Sequence, residues 1–232
     1  MKYVFITGTD TAVGKTVVSR ALLQYLAHAG LSAAGYKPVA RNGVQSENGL
    51  RSKDALVLQS SSTLALPYEA VNPLIYTEDE VSTRPHETMD YARLSVGLTQ
   101  LQKKADCVVI EGTGGWRSLM NDAKPLSGWV VEHQIPVILV VGIKQGCLNH
   151  ALLTAEAIRN DGLPLLGWIA NRINPGLAHY AELIAVLSET LRVPLLGELP
   201  YLPRAEQRDL AGYINLSPLH ITTAVNPDVK IA

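Results

Sequence analysis

The run Thr7-Gly8-Thr9-Asp10-Thr11-Ala12-Val13-Gly14-Lys15-Thr16 stands directly behind the apolar stretch Tyr3-Val4-Phe5-Ile6. A buried strand, a glycine-punctuated turn and Gly-Lys-Thr at the head of a helical pattern together make a phosphate-binding loop, so strand and helix must meet at one corner of an α/β fold. Its glycines let the backbone wrap closely around phosphate oxygens, the amides of loop and helix start face the anion, and the lysine adds a full charge. Thr16 then carries its hydroxyl where such loops hold Mg²⁺. The spacing is a variant: five residues separate Gly8 from Gly14, one more than the common pattern. Either the loop is a lengthened form or Gly8 is not the first glycine of the cradle. A nucleoside triphosphate is the ligand that the loop implies.

Composition narrows what else the chain can be. At 232 residues and 47% hydrophobic, with glycine and proline scattered throughout, it reads as one compact domain. Twenty Lys plus Arg nearly cancel 21 Asp plus Glu, and no basic run is interleaved with aromatics, so neither a nucleic-acid partner nor an anionic membrane surface is expected. The two cysteines, Cys107 and Cys147, stand in apolar or glycine-rich settings away from metal-ligand spacing, and both read as reduced. The histidines form no His-x-x-x-His or Cys/His cluster, so structural zinc has no support. One lysine precedes the first strand and no apolar run reaches the length of a membrane span, so a cytoplasmic protein without a signal peptide is expected.

Strand-like and helix-like segments alternate along the chain. Residues 3–7 predict a strand, 15–29 a helix closed by Gly30, and 32–36 the next strand, a first βαβ unit. A polar loop over 41–49, a short helix beginning near Asp54 and a longer one over 88–104 follow. Cys107–Ile110 and Val137–Val141 are continuous apolar runs, the signature of parallel strands covered on both faces. Helices over 126–133, 149–159 and 177–191 and strands over 165–170 and 195–199 complete the pattern. The expectation is a single-domain α/β, P-loop NTPase-type fold over 1–219, with a mostly parallel central sheet, helices on both faces, and a loose tail over 220–232.

In such a sheet ligands bind at the carboxyl ends of the strands, so the residues just after each strand carry the chemistry. Glu111, followed by Gly112-Thr113-Gly114-Gly115-Trp116, either holds Mg²⁺ at the mouth of the crevice or is a charged strand end facing water. Asp54 is either a helix N-cap or, with Thr16 and Glu111, part of a hard, oxygen-only Mg²⁺ set. Lys37, between Gly35-Tyr36 and Pro38, is either a surface charge or a cation that stabilises a transferring phosphoryl group beside Lys15. Cys147 reads as structural, although Gly146-Cys147-Leu148-Asn149-His150 at a helix start can offer amides to a carboxylate. Asn171-Arg172-Ile173-Asn174 is not the Asn-Lys-x-Asp that reads guanine, which favours adenine.

These residues resemble the dethiobiotin synthetase family, the ATP-dependent ligases of biotin synthesis, from the first strand to about Leu219. The matches include Gly8-Thr9-Asp10-Thr11 with Val13-Gly14-Lys15-Thr16, Gly35-Tyr36-Lys37-Pro38-Val39, Asp54-Ala55, Val71-Asn72-Pro73, Glu111-Gly112 with Gly114-Gly115-Trp116, Gly146-Cys147 with Asn149-His150, and Gly197-Glu198 with Pro200. The lengthened loop is itself a family trait. The resemblance implies a reaction in which 7,8-diaminononanoate and CO₂ form a carbamate, ATP phosphorylates it, and the neighbouring amine closes a cyclic urea. It implies Lys37 and Lys15 as catalytic charges, with Thr16, Asp54 and Glu111 as the Mg²⁺ set. Nucleotide contacts are implied for Thr11 to Val17 (Ala12, Val13 and Gly14 included), Gly112, Thr113, Gly114, Asn171 and Arg172, and for an adenine pocket at Pro200, Tyr201, Leu202 and Gln207.

Substrate contacts are implied for Arg41 and for Gly146, Cys147, Leu148 and Asn149, the latter turn reaching a partner subunit of a homodimer. Ala12, Arg41 and Gln145 depart from the family's pattern, and the loop between Tyr76 and Glu87 looks shortened, as in a divergent second copy of the enzyme. A regulatory or partitioning ATPase of the same superfamily shares the loop. Such proteins carry a second lysine early in it, where this chain has Asp10 and Thr11. An amide-forming ligase with a different amine substrate is the other alternative.

Overall fold

The computed structural model describes residues 1–77 and 88–219. The proposed tail over 220–232 and all but the start of the loop that looked shortened lie outside the described residues. The chain begins with β1 (Tyr3–Gly8), α1 (Lys15–His28) and β2 (Ala33–Tyr36), then β3 (Val39–Ala40), β4 (Val44–Ser46) and β5 (Gly49–Arg51). Next come α2 (Lys53–Ser61), α3 (Tyr68–Val71), β6 (Leu74–Ile75), α4 (Tyr91–Gln102) and β7 (Cys107–Gly115). The second half alternates α5 (Ser127–Glu132), β8 (Val137–Gly142), α6 (Cys147–Asn160), β9 (Leu165–Asn171), α7 (Tyr180–Leu191) and β10 (Leu195–Leu199). Among the described residues no helix is long and apolar enough to cross a membrane.

The main sheet has six strands in the order β10-β9-β8-β1-β7-β2, and every pairing in it is parallel. The α/β expectation is met. β1 and β2 do frame a βαβ unit, but β7 is inserted between them. Central β1, β7 and β8 are apolar and almost wholly buried, because helices cover both faces. The chain leaves β1 towards β2 and β7, then returns to β8 on the other side, which places a switch point directly above the carboxyl end of β1.

Some elements depart from the sequence reading. The predicted loop over 41–49 runs into a hairpin, β4 with β5, whose outer strand is exposed throughout. The helix near Asp54 is capped by Ser52, whose hydroxyl accepts from the Ala55 N–H, so Asp54 is not the cap and its carboxylate is left for other work. β7 does not stop at Glu111 but runs on to Gly115, and there the one residue of β1 between Ile6 and Gly8 faces three of β7 between Glu111 and Gly115. That irregularity turns the backbone after Glu111 over the end of β1.

Close packing fixes where α2, the carrier of Asp54, lies against the sheet. A Cβ on Gly35 of β2 would stand 2.7 Å from Leu58 Cβ and 3.0 Å from the Leu58 carbonyl oxygen. Gly35→Ala must therefore push α2 off β2, at a cost of about 1–3 kcal/mol. A lowered urea midpoint is the expected result; an unchanged midpoint contradicts this account of the α2 contact.

Candidate active site

Gly14 caps α1 with φ at 92°, and no side chain caps the amides of the first turn. Those amides and the helix dipole therefore face the open end of the loop, ready for an anion. The loop is held by Val13, which is fully buried between strand ends at Gly8 and Gly142, where added Cβ atoms would come within 2.6 and 2.9 Å of it. From the other side the Asn171 amide donates to the Val13 carbonyl at 2.9 Å. A Cβ on Gly14 would lie 2.0 Å from that amide nitrogen, so glycine is required there twice, by space and by φ.

Lys37 projects from just beyond β2 into the interior, only 3% exposed. Its ammonium donates to Glu111 Oε1 at 2.6 Å and to the Gly112 carbonyl at 2.9 Å, and stands 3.4 Å from Asp54 Oδ2. Burial alone would lower its pKa, but the charges and hydrogen bonds of Glu111 and Asp54 raise it above the ordinary lysine value. Lys37 is thus not the surface charge that one reading allowed. Glu111 is fully buried inside β7, so the water-facing strand end is also ruled out.

The Thr16 hydroxyl donates to Glu111 Oε1 at 2.8 Å. Burial pushes the Asp54 carboxyl up, yet the Lys37 charge and hydrogen bonds from Thr16 and Lys37 outweigh it and hold the group below its ordinary value. Thr16 has one proton for two carboxylates, so this oxygen cluster has more acceptors than donors. Glu111 Oε2 is buried with no hydrogen-bond partner among the described residues. Two carboxylates, one of them with an unpartnered buried oxygen, and a hydroxyl suit a hard cation that takes few protein ligands and completes its shell with phosphate and water, as Mg²⁺ does.

Lys15 folds back, donating to the Asp10 carbonyl at 2.9 Å. Burial, and then the nearby charge of Lys37, bring its ammonium down to about 8. The Asp10 carboxylate accepts from Lys144 at 2.9 Å and from the Thr11 N–H at 2.8 Å, and the Lys144 bond leads the causes that hold it below the usual range.

A family model described as an AAA domain matches residues 2–208. ATP-dependent dethiobiotin synthetase BioD 2 of Escherichia coli (strain K12) is 64% identical over 97% of this chain and 98% of its own length. The protein of the same name from Yersinia pestis is 58% identical over 93% of this chain and 97% of its own. The chain belongs to the dethiobiotin synthetase family. Solved structures of the Aquifex aeolicus cell division protein MinD and of a ParA family ATPase from Chlorobium tepidum TLS each superpose with a TM-score of 0.55 at 13% and 15% identity. The former covers 92% of this chain and 88% of its own, the latter 95% and 92%, a likeness of fold alone.

Of the residues that the dethiobiotin synthetase resemblance points to, Thr11, Ala12, Gly14, Lys15, Thr16, Val17, Lys37, Arg41, Asp54, Glu111, Thr113 and Gly114 line a single cleft of about 800 Å³. Arg41 is anchored there on the Leu119 carbonyl. Val13 and Gly112 lie beneath it and contribute carbonyls to Asn171 and Lys37. Arg172 stacks over the Tyr180 ring at 4.6 Å, its N–H bonded to the Leu199 carbonyl, while half-exposed Tyr201 and partly buried Leu202 follow Pro200 beyond β10. Gln207 ends a short turn whose Ala205 carbonyl is bound by Arg20 of α1. Gly146 caps α6 at φ 82°, with Cys147 buried, Leu148 half-buried and Asn149 exposed. None of these from Asn171 to Gln207, nor the 146–149 turn, lines the cleft.

Asn42, Ser118 and Leu119 also line it and were not singled out from the sequence, while Asp10, which lines it too, and Lys144 were given no contact of their own. The signal for Lys144 was its place just beyond an apolar strand. Phosphate binds the protonated form of Lys15, so nucleotide binding above about pH 8 requires proton uptake by the free protein. Affinity for an ATP analogue, measured by calorimetry, is expected to fall as pH rises beyond 8 and to level off only about a unit or more below it. An affinity that does not change up to roughly pH 9.5 contradicts the lowered pKa.

Proposed function

We propose that this chain catalyses the ATP-dependent carboxylation and ring closure of 7,8-diaminononanoate with CO₂ to dethiobiotin. One substrate amine attacks CO₂, forming the N–C bond of a carbamate and losing a proton. A carbamate oxygen then attacks the γ-phosphorus of ATP, the bond to the bridging oxygen breaks, and ADP leaves. Finally the second amine attacks the carbamate carbon, the C–O bond to phosphate breaks, and phosphate departs as the urea ring closes. The observation that carries this reading is the buried Lys37 ammonium at the base of the cleft into which the phosphate loop opens.

In this reading Lys15 binds the transferring phosphoryl group and Lys37 the developing charge on carbamate and phosphate. Thr16, Asp54 and Glu111 hold Mg²⁺, which when bound neutralises phosphate charge. No nucleophilic side chain is required, because the substrate supplies both amines and the protein's work is positioning and electrostatics. Asn171, Arg172, Pro200 to Leu202 and Gln207 serve adenine. Arg41 and the turn from Gly146 to Asn149 serve the substrate, the turn across the interface of a homodimer. The reading carries with it a cytoplasmic location and a ligase domain spanning 1–219.

Lys37→Gln keeps a donor for Glu111 but removes the charge. It is expected to bind an ATP analogue within a few-fold of the parent protein while dethiobiotin formation, followed by mass spectrometry, drops about 10²- to 10³-fold. An unchanged rate of product formation would remove Lys37 from the mechanism.

A further inference from the structure

Lys37 and Asp54 approach from different elements, and a closed ring of hydrogen bonds joins their backbones away from the cleft. The Asn72 side-chain amide donates to the Lys37 carbonyl at 2.7 Å and to the Leu74 carbonyl at 2.9 Å. Both carbonyls can only accept, so the Asn72 nitrogen must face them and its oxygen must face Tyr68. The Tyr68 hydroxyl donates to that oxygen at 2.9 Å and accepts from the Ser52 N–H at 2.8 Å. Ser52 caps α2, whose first turn carries Asp54, and Asp54 returns to Lys37 at 3.4 Å. Ser52, Tyr68 and Asn72 are 2%, 6% and 3% exposed, so no water competes for these bonds. Proton directions are thereby set all the way around.

We propose that Tyr68 and Asn72 are positioning residues that lock the Lys37 backbone to the start of α2, and so set the distance between the Lys37 ammonium and the Asp54 carboxylate. This rests on the reading in which Lys37 stabilises the transferring phosphoryl group and Asp54 is a Mg²⁺ ligand. The Lys37 ammonium is held on β7 by Glu111 and Gly112, whereas Asp54 is half-exposed and not held by packing, so its distance from the ammonium depends on where the start of α2 stands. The ring confines the two backbones. A second backbone bond, from the Lys37 N–H to the Val71 carbonyl at 2.8 Å, makes α3 part of the same clamp. The Arg51 guanidinium lies 4.2 Å above the Tyr68 ring, which keeps that ring in place when its hydroxyl is removed. Burial raises the Tyr68 pKa, so the hydroxyl retains the proton that it donates.

Tyr68→Phe removes one oxygen and leaves the ring. The affinity of the ATP-analogue-loaded protein for Mg²⁺, measured by calorimetry, is expected to weaken about 10- to 100-fold, as with other groups that orient metal ligands. The kcat for dethiobiotin formation falls with it, while KM for the amine and analogue binding without Mg²⁺ stay within about twofold, a split that a merely structural defect does not produce. Mg²⁺ affinity and kcat both unchanged in a folded Tyr68→Phe protein overturn the proposal. If that variant does not fold, Asn72→Thr decides on the same readouts. Lys37→Gln is assayed alongside: its loss of activity with Tyr68→Phe unaffected sinks this inference alone, whereas full activity in Lys37→Gln sinks the underlying reading and this inference with it.

Discussion

Lys37 and Glu111 face each other at 2.6 Å with 3% and 0% of their side chains exposed, and the fold has to hold both charges without water. Replacing a buried ion pair by apolar side chains is often neutral or stabilising, whereas losing one partner costs about 3–5 kcal/mol. Stability therefore gives a weak reason for the pair, and its location gives a better one. It sits below the phosphate loop at the switch point of the sheet, and two more oxygen groups, Thr16 and Asp54, converge on it. A lysine already stripped of water, with its charge secured by two carboxylates, meets a developing phosphoryl charge without solvent reorganisation.

The surrounding architecture follows from that requirement. β7 must lie between β1 and β2, because only then do a residue inside β7 and one just past β2 meet beneath the loop that follows β1. Gly112 leaves room for Phe5, whose ring would stand 2.7 Å from an added Cβ, and its carbonyl gives the ammonium a second acceptor. On the far side Lys144, just past β8, ties the loop through Asp10. The MinD-like and ParA-like structures share the sheet and say nothing of this pair; the synthetase relatives and the site geometry together do the distinguishing.

How much of this could be read from sequence depended on whether the deciding interactions are local. β1, α1 and β8 were legible because strands covered on both faces leave continuous apolar runs and the helix follows a glycine-lysine signature. The end of β7 was misplaced at Glu111 because the pairing continues through glycines, which carry no hydrophobic signal. The β4–β5 hairpin escaped because β4 is exposed and β5 half-buried throughout, so neither alternates between a buried and an exposed face. β3 and β6 are two residues each and, among the described residues, pair with each other across the intervening chain. For Lys37 and Glu111 the residue types were legible but the burial was not, since it depends on the order of strands in the sheet. The Asp10–Lys144 pair spans 134 positions and leaves no local trace.

Supplying ATP and Mg²⁺ with diaminononanoate and bicarbonate, singly and together, and following ADP release with mass spectrometry of the products tests the central claim most directly. Turnover should require both substrates and yield one dethiobiotin for each ADP released. ATP hydrolysis at the same rate with or without the two substrates, with no dethiobiotin formed, would contradict the ligase account.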